Sequence, residues 1–120
     1  LDHNSQTFKY TGGVHSAALA DHSGLLIRFE DIGRHNAVDK VLGQAFLDEM
    51  ITEDKCLVLT GRIASEILIK AIRSHIPILL SRSAPTDLTL SLAEEFNITI
   101  AGFARGQNLN IYTHSERILS

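Results

Sequence analysis

Apolar residues in this chain gather into short runs, separated by stretches in which they recur every three or four positions. The runs are Leu25 to Phe29, Cys56 to Leu59, Ile76 to Leu80 and Ile98 to Ala101. Their brevity and β-rich composition predict strands. Between them, Asn36 to Met50 carries Ala37, Val38, Val41, Leu42, Ala45, Phe46 and Met50 at helical spacing. Ile63 to Arg73 puts Ile63, Ile67, Leu68, Ala71 and Ile72 on one helical face, and Thr86 to Phe96 turns Leu88, Leu92, Ala93 and Phe96 inward. Pro85 stands at the start of that last helix, where a missing N–H is harmless. Thr11-Gly12-Gly13 reads as a turn, Val14 to Ala20 as a short helix of small apolar residues, and Leu109 to Tyr112 as a last, edge strand. The βαβαβαβ rhythm predicts a three-layer α/β/α sandwich around a mixed, mostly parallel sheet.

Onto this pattern the arginines fall unevenly. Four of the seven, Arg34, Arg62, Arg82 and Arg105, each lie within a few residues of the end of an apolar run, beside a Gly or Ser. If helical crossovers join the strands, the strand ends share one edge, where open α/β sheets bind ligands. Guanidiniums converging there suit an anion, phosphate above all.

The bulk numbers bound the choices. At 120 residues the chain is one domain. Its opening at Leu1, with polar Asp2 to Gln6, points to a fragment of something longer. A net charge of −3 argues against a general nucleic-acid or membrane-surface role, so the arginine pattern is local. A single cysteine, Cys56, excludes an internal disulfide and a cysteine-rich zinc site, and fits a reducing, cytoplasmic compartment. No apolar stretch is long enough to span a bilayer, and no charged-then-apolar leader opens the chain.

Several segments are placed to carry chemistry. In Glu30-Asp31-Ile32-Gly33-Arg34-His35-Asn36, Gly33 permits a sharp turn, and the residues after it open a helix whose free N–H groups favour an anion. Asp39, read as first-turn, would suit the same dipole. Thr60-Gly61-Arg62 repeats the arrangement, and Ser81-Arg82-Ser83-Ala84-Pro85-Thr86 repeats it again, with Ser83 as an N-cap. Each segment alone also reads as ordinary capping plus surface ion pairing with Asp31, Glu66 or Asp87. Gly102-Phe103-Ala104-Arg105-Gly106-Gln107-Asn108 is bracketed by glycines. Phe103 there can stack on a base, Arg105 can hold phosphate, and Gln107 and Asn108 can read base edges; it also reads as a polar loop with Phe103 in the core.

Gly12 and Gly13 precede His15, a single histidine without zinc-ligand spacing. Cys56 lies inside an apolar run and is a poor nucleophile. A deaminase-like hydrolase would need H-x-E and P-C-x-x-C, and His15 is followed by Ser16-Ala17. A non-catalytic nucleotide-binding or interaction module is the other alternative.

The strings TGGVHSAAL (Thr11 to Leu19), EDIGRHNAVDKVLG (Glu30 to Gly43), TGRIASEI (Thr60 to Ile67), PILLSRSAPT (Pro77 to Thr86) and GFARG (Gly102 to Gly106) resemble the formate dehydrogenase accessory sulfurtransferase family, FdhD. The resemblance runs from Phe8 to about Arg117. It implies a cytidine-deaminase-like fold and a role in maturing molybdenum-dependent formate dehydrogenase. Members accept sulfur as a persulfide from a cysteine desulfurase. They pass it to the molybdenum bis(molybdopterin guanine dinucleotide) cofactor, which is cargo; GDP would mimic its guanine end. The family's cofactor-binding segment matches Phe103 to Asn108, and a homodimer is plausible from the family. The persulfide-carrying CxxC of the family lies upstream of TGGVH and has no counterpart here, so the resemblance implies the C-terminal, cofactor-binding portion of a family protein with no catalytic residue of its own; lacking the deaminase motifs, it is not expected to hold zinc.

Overall fold

A computed structural model describes residues 14–83, 85–103, 109–111 and 113. In chain order the elements are β1 (His15–Asp21), β2 (Gly24–Asp31), α1 (Arg34–Leu47), β3 (Cys56–Leu59), α2 (Ser65–Arg73), β4 (Ile78–Ser81), α3 (Asp87–Glu95), β5 (Thr99–Phe103) and β6 (Leu109–Ile111). They form one mixed sheet of order β2-β1-β3-β4-β5-β6. β1 runs against both β2 and β3, β3, β4 and β5 run together, and β6 reverses. Thus β2, β3, β4 and β5 point the same way, and their C-terminal ends share one edge as the sequence predicts. Only the β3–β4 and β4–β5 neighbours pair in parallel, because the reversed β1 is inserted between β2 and β3.

The short helix predicted over Val14 to Ala20 is instead strand β1. Ser16 to Ala20 are buried without a break. Helix propensity favours alanine, but small residues also suit a strand flanked on both sides and covered on both faces, and tertiary burial overrides the local preference. β1 passes into β2 through a hairpin: Asp21 receives the Ser23 N–H at 2.8 Å, and Gly24, at φ 125°, takes a backbone conformation that only glycine adopts readily.

All three helices cover one face. Ala37, Val38, Val41 and Ala45 of α1, Ile67, Leu68 and Ala71 of α2, and Ala93 of α3 form one apolar cluster with Ala17, Leu19, Leu57, Leu79 and Ile100 of the sheet. The alternate strand residues Ala18, Ala20, Val58, Leu80 and Ala101 form a second cluster on the opposite face. Among the described residues the helices pack on the first face, and the second cluster is equally buried, in keeping with the α/β fold expected. Leu88 and Phe96, expected inward, are exposed, as is Phe46 of α1. The stripe of α3 that meets the sheet is narrower than its apolar content suggests, with Thr89 and Ala93 buried.

Each helix ends in the same way. The N–H groups of Met50, Ile76 and Ile98 reach back to the carbonyls of Ala45, Ala71 and Ala93, while those of Glu49, His75 and Asn97 bond Phe46, Ile72 and Glu94. This is the Schellman pairing, which puts the residue just past the cap in the left-handed region. Glycine is the usual occupant; here Glu49 (φ 52°), His75 (φ 61°) and Asn97 (φ 61°) hold it. For Glu49 and His75 that conformation costs about 1 kcal/mol each.

Candidate functional site

The edge where β2 to β5 end is also where β1 begins, and the register lines the ends up. Leu59 faces Ala17 on one side and Ser81 on the other, and Ser81 faces Gly102. Beyond that row lie His15, Asp31, Gly61, Arg62, Arg82 and Ser83, which form a rim.

Three local locks hold the rim. The first ties β1 to β3. Buried Thr60 Oγ1 accepts the Ser16 N–H at 3.0 Å, and the Thr60 N–H bonds the Ser16 carbonyl at 3.2 Å. The second joins the loops after β3 and β4. Ser81, fully buried, donates its hydroxyl to the Gly61 carbonyl at 2.5 Å and accepts the Ser83 N–H at 3.1 Å. Ser83 is therefore not an N-cap; Thr86 caps α3, accepting the Thr89 N–H at 3.2 Å. The third lock shapes the β2–α1 turn. Asp31 accepts from Lys40 Nζ at 2.7 Å, from the Gly33 N–H at 2.9 Å and from Asn36 Nδ2 at 3.5 Å. The Lys40 hydrogen bond above all, then the Gly33 N–H, holds the Asp31 carboxyl down at about 2.

Glycines serve closeness here, not unusual dihedrals. Gly33 sits at φ −93° and ψ 123°, which any residue adopts, but a Cβ on it would lie 3.2 Å from Asn36 Nδ2. A Cβ on Gly61 would lie 3.2 Å from His15 Nδ1 and 3.8 Å from Arg34 Cδ. Bare backbone at Gly61 thus lets His15 from β1 and Arg34 from α1 meet over the end of β3.

The ion pairs of the fold go elsewhere. Lys40 pairs with Asp31 at 2.7 Å, Lys70 with Asp39 at 2.6 Å, and His35 Nε2 lies 3.8 Å from Glu66 Oε2. Helix α1 opens two residues earlier than predicted, so Asp39 lies past its first turn and serves the α1–α2 contact instead of the dipole. The sequence left open whether the arginines neutralise Asp31, Glu66 or Asp87. Among the described residues Arg34, Arg62 and Arg82 make no ion pair; Lys40 and His35 take Asp31 and Glu66. The N-termini of α1 and α2, with Gly33 and Ala64 as N-caps, receive no side-chain capping bond. Guanidiniums without ion-pair partners among the described residues and uncapped helix N-termini are groups that favour an anion.

Of the predicted site residues, the rim brings together His15, Gly33, Arg34, His35, Asn36, Gly61, Arg62, Ser81, Arg82 and Ser83. Phe103 ends β5 at the same edge. Gly12, Gly13, Ala104, Arg105, Gly106, Gln107 and Asn108 lie outside the described residues. Sequence reasoning gave Ser81 a direct binding role, yet its hydroxyl is buried and committed to two backbone partners. It missed Thr60 and Lys40 as locks. The Asp-x-Gly at the start of the turn was the available signal for the Asp31 arrangement. Cys56 lies at the other end of β3, half-buried, with burial pushing its thiol up to about 11. Among the described residues no three His, Cys, Asp or Glu side chains gather as a metal site, and no helix is long and apolar enough to cross a membrane.

Fold and rim together define an α/β protein whose strand-end edge gathers arginines and uncapped helix N-termini. The chain belongs to the FdhD/NarQ family, which matches it over residues 1–119. It is 52% identical over 118 residues to the sulfur carrier protein FdhD of Bacillus pumilus (strain SAFR-032), covering 98% of this chain and 45% of that protein. It is 51% identical to the protein of the same name from Bacillus subtilis (strain 168), with the same coverage. A crystal structure from Desulfotalea psychrophila, assigned as a formate dehydrogenase accessory protein, superposes with a TM-score of 0.81 at 38% identity. That match covers 89% of this chain and 48% of that one. The chain therefore spans about half the length of the relatives it matches.

Proposed function

We propose that this chain is the cargo-holding part of a sulfur carrier that serves formate dehydrogenase in the cytoplasm. The rim takes the guanine dinucleotide end of the molybdenum bis(molybdopterin guanine dinucleotide) cofactor. Arg34, Arg62, Arg82 and Arg105 face its phosphates, and the Phe103 to Asn108 segment receives the base. The protein takes part in moving sulfur from a cysteine desulfurase to that cargo, and the sulfur-carrying cysteine lies outside this chain. One observation carries the reading: arginines from three successive strand–helix junctions reach one rim with no acidic partner among the described residues. Guanidiniums left unpaired beside uncapped helix ends are arranged for an anion brought from outside. The name sulfur carrier protein, borne by the relatives, supports the sulfur-transfer role, and the choice of cargo rests on the resemblance to FdhD.

The test is calorimetric titration of the full-length protein with GDP. Saturable binding is expected, weakened roughly five- to tenfold by each of Arg34→Ala, Arg62→Ala, Arg82→Ala and Arg105→Ala and falling with added salt. Because the three described arginines are unpaired, their removal should shift stability by no more than about 0.5 kcal/mol. Absence of saturable binding, or wild-type affinity in all four variants, would overturn the proposal.

A further inference from the structure

The pole opposite the rim has a different character. There the chain enters β3, β4 and β5, and the three helices end. A groove of about 390 Å³ runs between Leu42, Ala45, Phe46 and Met50 on one side and Arg73, Ser74 and His75 on the other. A second of about 410 Å³ continues it past Ile72, Pro77 and Phe96. Around them Phe46, Leu47, Ile51 and Phe96 are 82%, 75%, 70% and 52% exposed. Large apolar side chains so exposed and so close together mark an interaction surface.

Two further observations say what kind. The left-handed residue His75 lines both grooves, and Glu49, likewise left-handed, lines an adjoining hollow of about 500 Å³ with Phe46 and Met50. Glycine would close both helices without strain, so Glu49 and His75 put a carboxylate and an imidazole at this pole at a cost to the fold. The pole is also acidic: Asp48 and Glu95 stand at the ends of α1 and α3, Glu49 follows Asp48, and Glu53 lines both grooves, with Arg73 as a cation on the first.

We propose that this pole docks a protein segment presenting large apolar side chains interspersed with lysine or arginine. The apolar residues fill the grooves beside Phe46 and Phe96, and the cations meet Glu49 and Glu53. A second copy of this chain set face to face would oppose the same carboxylates, and an anionic lipid surface would be repelled by them. The surface stands apart from the strand-end rim, so the partner and the cargo bind at once.

The probe is an amphipathic helical peptide of leucine and lysine, with a leucine–glutamate twin as control, titrated into the full-length protein. The lysine peptide should bind saturably and the glutamate twin should not. Phe46→Ser should weaken binding at least about tenfold. Glu49→Gly should weaken it several-fold while raising the thermal midpoint, a pairing that a purely structural Glu49 would not give. Glu53→Lys should narrow the preference between the peptides. Equal binding of both peptides, no binding, or unchanged affinity in all three variants would overturn the proposal. So would a concentration-dependent dimer in sedimentation that Phe46→Ser abolishes, since a second copy would then be the occupant.

Discussion

The Ser81 hydroxyl donates to the Gly61 carbonyl at 2.5 Å and so joins the loop that carries Arg62 to the loop that carries Arg82. Two strand ends that belong to different crossovers are thereby held in one arrangement. Ser81→Ala would leave the Gly61 carbonyl and the Ser83 N–H without this partner at a buried position. A loss of about 1–3 kcal/mol in urea unfolding is expected, with weaker GDP binding in the same variant.

Gly61→Ala probes the meeting of His15 and Arg34. The added methyl would stand 3.2 Å from His15 Nδ1, so the imidazole must yield by a few tenths of an ångström. The rim should be disturbed more than the core. GDP affinity is expected to fall roughly tenfold, equivalent to about 1.4 kcal/mol, while the thermal midpoint stays close to that of the unsubstituted protein.

Asp31 gives the fold an acid limb. Its carboxyl is held at about 2 in the folded chain, first by Lys40 and then by the Gly33 N–H, against an ordinary value of 3.8. The folded value is the lower one, so the stabilisation is fully present above the unfolded value and is lost as pH falls through the folded one. Urea midpoints measured between about pH 5 and pH 2 should decline for the unsubstituted protein. Asp31→Asn should flatten that decline, and an unchanged slope would show that the Lys40 contact does not persist in solution.

His75→Gly should stabilise the chain. The residue occupies the left-handed position after α2, where its backbone angle of φ 61° suits glycine better. A gain of up to about 1 kcal/mol is expected in denaturant unfolding. A loss would mean that the imidazole makes a compensating contact at the groove.

Cys56 should resist alkylation. With its thiol pushed up to about 11 by burial, the thiolate fraction near pH 8 is about one in a thousand. Reaction with iodoacetamide should run roughly a hundredfold more slowly than for a free cysteine.

Much of the site's placement was legible in the sequence because strand-end arginines beside Gly or Ser repeat with the crossover period. Four strands running together, with helices between them, bring those ends to one edge whatever the order of the strands. The order itself was not legible. Val14 to Ala20 carries three alanines, a helix-forming residue type, and only its neighbours β2 and β3 make it a central strand. Leu88 and Phe96 misled for the opposite reason, since apolar periodicity says which face of α3 is hydrophobic but not how much of it the sheet covers. The locks at Thr60 and Ser81 escaped because a hydroxyl's partner depends on register, and register is a property of strand pairing. Composition could not reveal that Lys40, nine residues along, would take Asp31 and leave Arg34 unpaired.

The reversal of β1 has one more result. Because this strand starts at the edge where four others finish, the polypeptide preceding His15 is joined to the strand-end rim by a covalent bond. A reactive group borne a short way along the chain before His15 would be confined near the rim at an effective concentration on the order of millimolar. The sheet's connectivity would supply that nearness with no binding contact from the group itself.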